Sequence, residues 1–259
     1  MSDNVYESDR ALRDYLLFHY GDPTEILPWD LGPGDGALVY PARCARLALD
    51  ACDTPPQRAL DLGCAVGRTA FELARDVPDV VGVDLSGSFV TAARRLAREG
   101  ELPYAFQVRG AILHAAVARA PAGVDRSRIT FEVADASDLP AALGDFDLVV
   151  LANLIDRLPD PRRCLERLAP RVRPGGTVFV SSPYTWLEEF TPRERWLGAS
   201  PEDPDAAVAI GDALGDGFER IGRHDLPFLL REHERKFQWS MAEATIWRRP
   251  PPDRADRRP

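Results

Sequence analysis

Lysine is almost missing from this chain. Lys236 is the single lysine, and arginine makes up the rest of the 32 basic residues. We read the imbalance as compositional bias; a lone lysine such as Lys236 is more often a surface residue than a site residue. Against 41 acidic side chains the formal net charge is −9. That balance disfavours tracking a polyanion, so no nucleic-acid partner is expected. Long apolar runs are also missing. None approaches the roughly 20 residues of a bilayer span, so no membrane partner is expected. The first residues, MSDNVYESDRALRDY, are polar and charged, unlike a secretory signal. Cysteine is scarce. Cys44, Cys52, Cys64 and Cys164 fit neither a zinc spacing nor a small disulfide framework. His114, His224 and His233 lack ligand spacing with one another, so no metal is expected. These absences predict a cytoplasmic protein with free thiols.

What is present is enough hydrophobic sequence for a sizeable core, 45% of 259 residues. Residues 1–53 read as an N-terminal helical cap. Ala11, Leu12, Tyr15, Leu16 and His19 share a helical face, and a second helix covers Pro41–Asp50 with proline in its first turn. Residues 54–249 form one compact unit with the cap. Strands are predicted at Arg58–Leu62, Asp79–Val83, Ile129–Val133, Phe146–Leu151 and Thr177–Ser181, with a last one at Phe237–Arg248. Helices are predicted at Gly67–Arg75, Ser86–Glu99 and Asp160–Val172, and a turn at Pro174-Gly175-Gly176. Such alternation implies an α/β fold, a mostly parallel sheet with helices on both faces. Leu102–Ser127 is longer than a simple connection. Ser182–Ser200 follows a strand directly and is placed to form a lid, because ligands of open α/β sheets bind at the carboxyl ends of strands. Residues 250–259 read as a disordered tail.

The chemistry concentrates at three strand ends. Asp61-Leu62-Gly63-Cys64-Ala65-Val66-Gly67-Arg68 describes a sharp glycine turn between strand and helix, where backbone can approach a ligand closely. It fails the Gly-x-Gly-x-x-Gly dinucleotide pattern. A carboxylate at Asp61 suits an ammonium group and is poorly placed beside pyrophosphate. Asp84 ends the second strand and can accept from ribose hydroxyls. Asp135-Ala136 follows the third strand and can meet an adenine amine. An isolated glycine turn often serves only packing; three carboxylates at successive strand ends argue for a ligand. Asn153 to Pro161 follows the fourth strand; there Asp160 can simply cap a helix and Arg157 be solvated. Ser182–Arg193 combines aromatic faces, carboxylates and arginine. Those groups can bind a flat ring with N–H donors, or belong to an amphipathic helix with a buried aromatic side.

From Arg58 to Ser181 the combination resembles the class I S-adenosylmethionine (SAM)-dependent methyltransferases, with Ala65 where their loop commonly carries glycine. Further blocks, Asp14 to Gly21, Ala152 to Leu158, Ser182 to Arg193 and Arg235 to Gln238, extend the likeness over Tyr6 to Arg249. There the chain resembles the methyltransferase part of ovothiol biosynthesis enzymes, a 5-thiohistidine (4-mercaptohistidine) N-methyltransferase. The resemblance implies a Rossmann-like, mostly parallel seven-stranded sheet with helices on both faces, an N-terminal helical cap and a lid insertion. It implies SAM as donor, S-adenosylhomocysteine (SAH) as product, and methylation of the imidazole π nitrogen of 5-thiohistidine to give ovothiol A. The first 50 residues cannot hold the iron-dependent sulfoxide synthase often joined to this unit, so that synthase is expected as a separate partner.

The cofactor is then expected to meet Tyr15, Asp61, Gly63, Cys64, Ala65, Gly67, Asp84, Leu85, Asp135, Ala136 and Asn153. From chemistry and chain position, Asn153, Tyr184, Glu188 and Glu189 are expected to orient the acceptor as catalytic residues. His19, Tyr20, Asp156, Arg157, Trp186, Arg193, Arg231 and Lys236 are expected to bind it. Alternatives are methyl transfer to another small molecule, or a SAM-binding module without catalysis. A nucleotide-dependent oxidoreductase is disfavoured by the glycine loop.

Overall fold

The first helix begins where the Ser8 hydroxyl accepts the Ala11 amide, and it ends at Gly21. This α1 (Asp9–Tyr20) buries Leu16, Leu17 and His19. A short α2 (Pro23–Ile26) opens with a capping box between Asp22 and Glu25. α3 (Tyr40–Asp50) follows and turns Tyr40, Cys44, Ala45 and Ala48 into the core. The computed structural model describes residues 5–201 and 204–251. Most of the tail expected to be disordered, from residue 252 onward, lies outside them.

The alternating region runs β1 (Arg58–Leu62), α4 (Arg68–Leu73), β2 (Asp79–Asp84) and α5 (Gly87–Glu99). A hairpin of β3 (Glu101–Arg109) and β4 (Ile112–Arg119) forms a separate two-stranded sheet. Then come β5 (Ile129–Val133), β6 (Phe146–Ala152), α6 (Pro161–Leu168), β7 (Val172–Ser182), α7 (Ala206–Leu214), β8 (Glu219–His233) and β9 (Lys236–Arg248). The main sheet has seven strands in the order β5-β2-β1-β6-β7-β9-β8. All its pairs are parallel except those of β9, which runs against both neighbours. The expected Rossmann-like, mostly parallel seven-stranded sheet is therefore present. Its strands alternate between two apolar layers: Ala59, Val80, Leu148 and Val150 meet α3, α4 and α5, while Leu60, Val81, Val149 and Leu151 meet α6 and α7. The chain order reverses between β1 and β6, which marks the binding crevice of such sheets.

Four expectations need correction. The helix predicted over Asp160–Val172 ends at Leu168, and a 3-10 turn spans Ala169–Arg171, because Pro170 has no amide to donate. The strand predicted from Thr177 begins at Val172. Its register jumps from Phe146↔Val172 to Leu148↔Thr177, so Pro174-Gly175-Gly176 is an outward excursion within β7. Ser182–Ser200 contains no α-helix, only a 3-10 turn at Arg193–Arg195, so the amphipathic-helix alternative does not apply. Finally, α7 and the long β8 went unforeseen. Glu219–His233 mixes charge and apolar residues without a clean alternation, and its strand character comes from pairing with β9.

That pairing shapes the site. Ser182, at the carboxyl end of β7, pairs with Glu243. Residues 236–242 of β9 and 226–233 of β8 therefore continue past the sheet edge as a hairpin wall. Leu229 of that wall packs with Leu17 of α1, Ile26 of α2 and Phe106 of β3. The crevice thus has a roofed side built from the cap, the β3–β4 hairpin and the wall.

Candidate active site

At the end of β1, Asp61 is 1% exposed, and its Oδ2 has no hydrogen-bond partner. Burial pushes its carboxyl up to about 7; the Ala70 amide opposes the shift and the Asp84 charge adds to it. The loop that follows is held by backbone bonds. Gly63 and Cys64 amides both donate to the Val83 carbonyl (2.8 and 3.0 Å), and the Gly67 amide donates to the Cys64 carbonyl (2.8 Å). Gly63, Ala65 and Gly67 all have positive φ (76°, 47° and 89°). Asp84 takes part directly: its Oδ2 accepts the Ala65 amide (2.8 Å) and its Oδ1 the Ser86 amide (2.9 Å). It therefore braces the loop, a role local sequence did not suggest. Leu85 beside it is 61% exposed, an apolar surface at the strand end. Asp135 is exposed and accepts the Ser137 amide (2.7 Å), while the Ala136 carbonyl accepts the Cys164 thiol (3.4 Å). Cys64 is buried with its thiol held well above the usual range by burial, which suits packing and not nucleophilic work.

The cap grips this loop from outside. Tyr20 Oη donates to the Val66 carbonyl (2.7 Å), and Arg68 Nη1 donates to the His19 carbonyl (2.9 Å). The Arg68 guanidinium also lies over the Tyr20 ring at 5.7 Å. Burial, with the Arg68 charge, pushes the His19 imidazole down to about 3, so it is neutral at physiological pH. His19 and Tyr20 thus stand beside the glycine loop. Tyr15 packs on Phe89 (4.8 Å) and Tyr6 (6.0 Å). The turn at Val5–Glu7 lies across the β2–α5 junction: Tyr6 carbonyl accepts Ser86 Oγ (3.2 Å), and Glu7 accepts the Gly87 amide (2.7 Å). Eighty residues separate Glu7 from Gly87, so no local motif points to it. Tyr20→Phe should remove one hydrogen bond worth about 1 kcal/mol. The expected result is roughly fivefold weaker SAH binding by calorimetry with the fold retained; unchanged affinity would mean that the cap does not support the loop.

On the other side of the crevice stands a second group. Asn153 has φ of 54°, and its amide donates to the Ser181 carbonyl (2.8 Å). Its Oδ1 accepts from Tyr40 Oη (2.6 Å), which also lies 2.8 Å from Ser181 Oγ. Tyr40 is a site residue that sequence reading missed; only its aromatic character inside an otherwise small-residue helix face hinted at it. Asp156 is buried beside this group. Its Oδ2 pairs with Arg157 Nη1 (2.9 Å), and its Oδ1 has no partner. Arg157 Nη1 also donates to the Thr185 carbonyl (2.7 Å), and the guanidinium covers Phe190 at 5.2 Å. Arg157 therefore ties the lid to the sheet end.

The lid residues divide. Tyr184, with φ of 52°, donates its hydroxyl to Glu243 Oε1 (2.9 Å). Trp186 stacks on Trp196 (6.4 Å) with its Nε1 unpartnered, and Arg193 lies over Trp196 at 5.5 Å. Glu188 and Glu189 are exposed. Two expected carboxylate binders are engaged elsewhere. Arg231 donates to the Glu25 carbonyl and covers Phe106 at 5.0 Å, and Lys236 forms an exposed pair with Glu232 (2.8 Å) near the hairpin tip. Chemistry and chain position point to both, but neither says which strand end a side chain reaches.

A model of the methyltransferase domain matches residues 60–180. The magnesium-protoporphyrin O-methyltransferase of Rhodobacter capsulatus is 32% identical over 185 residues, covering 68% of this chain and 69% of that protein. The chain belongs to the class I SAM-dependent methyltransferases. The ubiquinone biosynthesis O-methyltransferase of Alkalilimnicola ehrlichii is 30% identical over 181 residues, covering 69% of this chain and 60% of that one. Across the ubiquinone methyltransferases it matches, the chain spans between 43% and 60% of their length. The N-methyltransferase NodS of Bradyrhizobium japonicum WM9, solved in complex with SAH, shares the fold with a TM-score of 0.55 at 16% identity, over 92% of this chain and 98% of that one. The residues present fit a SAM-type ligand: the buried Asp61 carboxylate has an oxygen without a donor, and Leu85 beside Asp84 is an exposed apolar side chain. Among the described residues no group of His, Cys, Asp and Glu is arranged to hold a metal, and no helix is long and apolar enough to cross a membrane.

Proposed function

We propose that this methyltransferase carries a methyl group from SAM to the π nitrogen of the imidazole of 5-thiohistidine, giving ovothiol A and SAH. The observation that carries the reading is the buried polar group opposite the loop. Asn153, Tyr40, Ser181 and Asp156 present hydroxyl, amide and carboxylate, which suits a small heterocycle with N–H donors better than a large apolar ring system. The resemblance of several sequence blocks to ovothiol enzymes supports the same acceptor.

Bound SAM supplies an electrophilic methyl group on a sulfonium. Asp61 would hold the ammonium of its methionine part, Asp84 the ribose hydroxyls and Asp135 the adenine amine, with Gly63, Cys64, Ala65, Gly67 and Ala136 providing backbone around them. An sp² nitrogen needs little covalent assistance, so alignment supplies most of the catalysis. Asn153, fixed by Tyr40, would orient the ring together with Tyr184 and Glu188 or Glu189, Trp186 would pack beside it, and Arg193 would meet the amino-acid carboxylate. On this reading a sulfoxide synthase would supply the acceptor. The O-methyltransferase relatives favour, as a second reading, a hydroxyl acceptor on another small molecule.

Incubation with SAM and 5-thiohistidine should give a product one methyl group heavier by mass spectrometry, with the methyl on the ring nitrogen by NMR. Absence of product at high enzyme concentration, with SAH binding intact, would dismiss 5-thiohistidine as the acceptor.

A further inference from the structure

The site holds two buried carboxylates with an unsatisfied oxygen each, Asp61 Oδ2 and Asp156 Oδ1. A buried acceptor without a donor is costly, and a bound ligand is one way to complete it. Asp61, under the glycine loop, is completed by the ammonium of the donor. Asp156 lies across the crevice, in the turn after β6, with Asn153 and Tyr40 as neighbours. We propose that Asp156 Oδ1 accepts a hydrogen bond from the acceptor's ring N–H and takes up that proton during methyl transfer. The inference rests on the reading of the acceptor as 5-thiohistidine.

The chemistry balances around the ring. As the π-nitrogen lone pair forms the new N–CH3 bond, the S–CH3 bond breaks and its electron pair stays on sulfur. The ring gains positive charge, and the proton on its τ nitrogen passes to Asp156 Oδ1. Products are the N-methylated neutral ring, SAH and a protonated Asp156, which returns its proton to water when the site opens. Asp156 is suited to this by its surroundings. Its other oxygen is held by Arg157 at 2.9 Å, which fixes the carboxylate plane. The groups facing it are Arg157 on its own turn, Tyr6 from the N-terminal turn, Tyr40 from α3, Ser182 at the end of β7 and Thr185 after it. Burial raises its pKa against the opposing Arg157 charge, and Ser182 and Thr185 favour the charged form without closing a bond to Oδ1. A carboxylate raised toward neutrality is a better match for a ring proton than a solvated one.

Asp156→Asn keeps the shape and removes the base. In the variant, SAH affinity by calorimetry should match the wild type, while 5-thiohistidine should bind the SAH complex more weakly. Turnover should fall by roughly 100- to 10,000-fold, the usual share of a positioned base. The wild type should lose turnover as pH falls through the Asp156 pKa, and the variant should lack that limb. Unchanged turnover in the variant would overturn the proposal, and so would a selective loss of SAH binding, which would put Asp156 on the donor side. If the variant does not fold, wild-type protein still gives the test. 5-Thiohistidine carrying a methyl on its τ nitrogen has no proton to donate, and it should bind the SAH complex more weakly than the parent; equal binding would overturn the proposal. A wild type that does not methylate 5-thiohistidine sinks the substrate reading and this inference together. A wild type that does, matched by Asp156→Asn, sinks the inference alone.

Discussion

Asp61→Asn should melt at a higher temperature than the wild type without ligand, yet bind SAH at least tenfold more weakly. The two effects share one cause. Asp61 is 1% exposed, its Oδ2 is orphaned, and burial raises its carboxyl from the ordinary value to about 7. Between roughly pH 4 and 7 the folded chain keeps a proton that the unfolded chain has released. The native state binds more protons there, so its stability falls as pH rises through that window, and the whole penalty is present above pH 7. Asparagine carries no such penalty. Allowing for its own unmet amide hydrogens, the gain above pH 7 is on the order of 2 kcal/mol, or roughly 4–8 °C in melting temperature for a chain of this size. Below pH 4 that gain should vanish.

Binding moves the other way. An ammonium favours the ionised carboxylate, so wild-type SAH affinity should climb with pH up to about 7 and then level, a slope the variant lacks. Losing a hydrogen bond between charged groups costs about 1.5–3 kcal/mol, roughly 10- to 150-fold in affinity. Asp84 is also raised by burial, but it is present in both proteins, so the difference between their pH profiles isolates Asp61. Thermal melts and calorimetry from pH 5.5 to 8 provide the readout. Equal SAH affinity in the two proteins would remove Asp61 from the ammonium site.

Gly67→Val should cost stability on the order of 3 kcal/mol and take most SAH binding with it. Gly67 has φ of 89°, a left-handed conformation that a β-branched residue strongly resists. Space is lacking as well: a Cβ there would stand 2.6 Å from Cζ of Phe131 and 3.2 Å from Cβ of Ala93. Phe131 cannot retreat easily, because the same ring fills the space over Gly82, where an added Cβ would be 2.5 Å from its Cδ1. Strain and overpacking of this kind are each worth about 1–3 kcal/mol. A drop of roughly 6–12 °C in melting temperature is expected. Gly110 offers the control: it also has positive φ, but nothing lies within 4 Å of a Cβ there, so Gly110→Val should cost less. Equal losses at the two positions would show that backbone strain alone, and not the approach of Phe131, makes Gly67 necessary.

The donor half of the site was legible because it is local. Asp61 and Gly67 sit in one strand-turn-helix, and a glycine spacing with a carboxylate before it states its geometry within eight residues. The acceptor half was legible only in part. Asn153 and Asp156 stood out as polar residues after a strand. Nothing near them pointed to Tyr40, which reaches Asn153 across 113 residues. Chemistry and chain position pointed to Arg231 and Lys236, and pairing of β8 with β9 carries them to Glu25 and Glu232 instead.

The sequence by itself determined the alternating elements, the parallel character of the sheet and the loop at Asp61 to Arg68, since hydrophobic period and glycine placement act over a few residues. Tertiary structure alone decided the rest. The antiparallel entry of β9 between β7 and β8 places Glu243 beside Tyr184 and extends a wall past the sheet edge. Burial from several distant segments strips water from Asp61 and Asp156 and leaves each with one oxygen unpaired. Those properties arise from what surrounds a side chain, and a residue's surroundings are set by strand order and packing rather than by its neighbours along the chain.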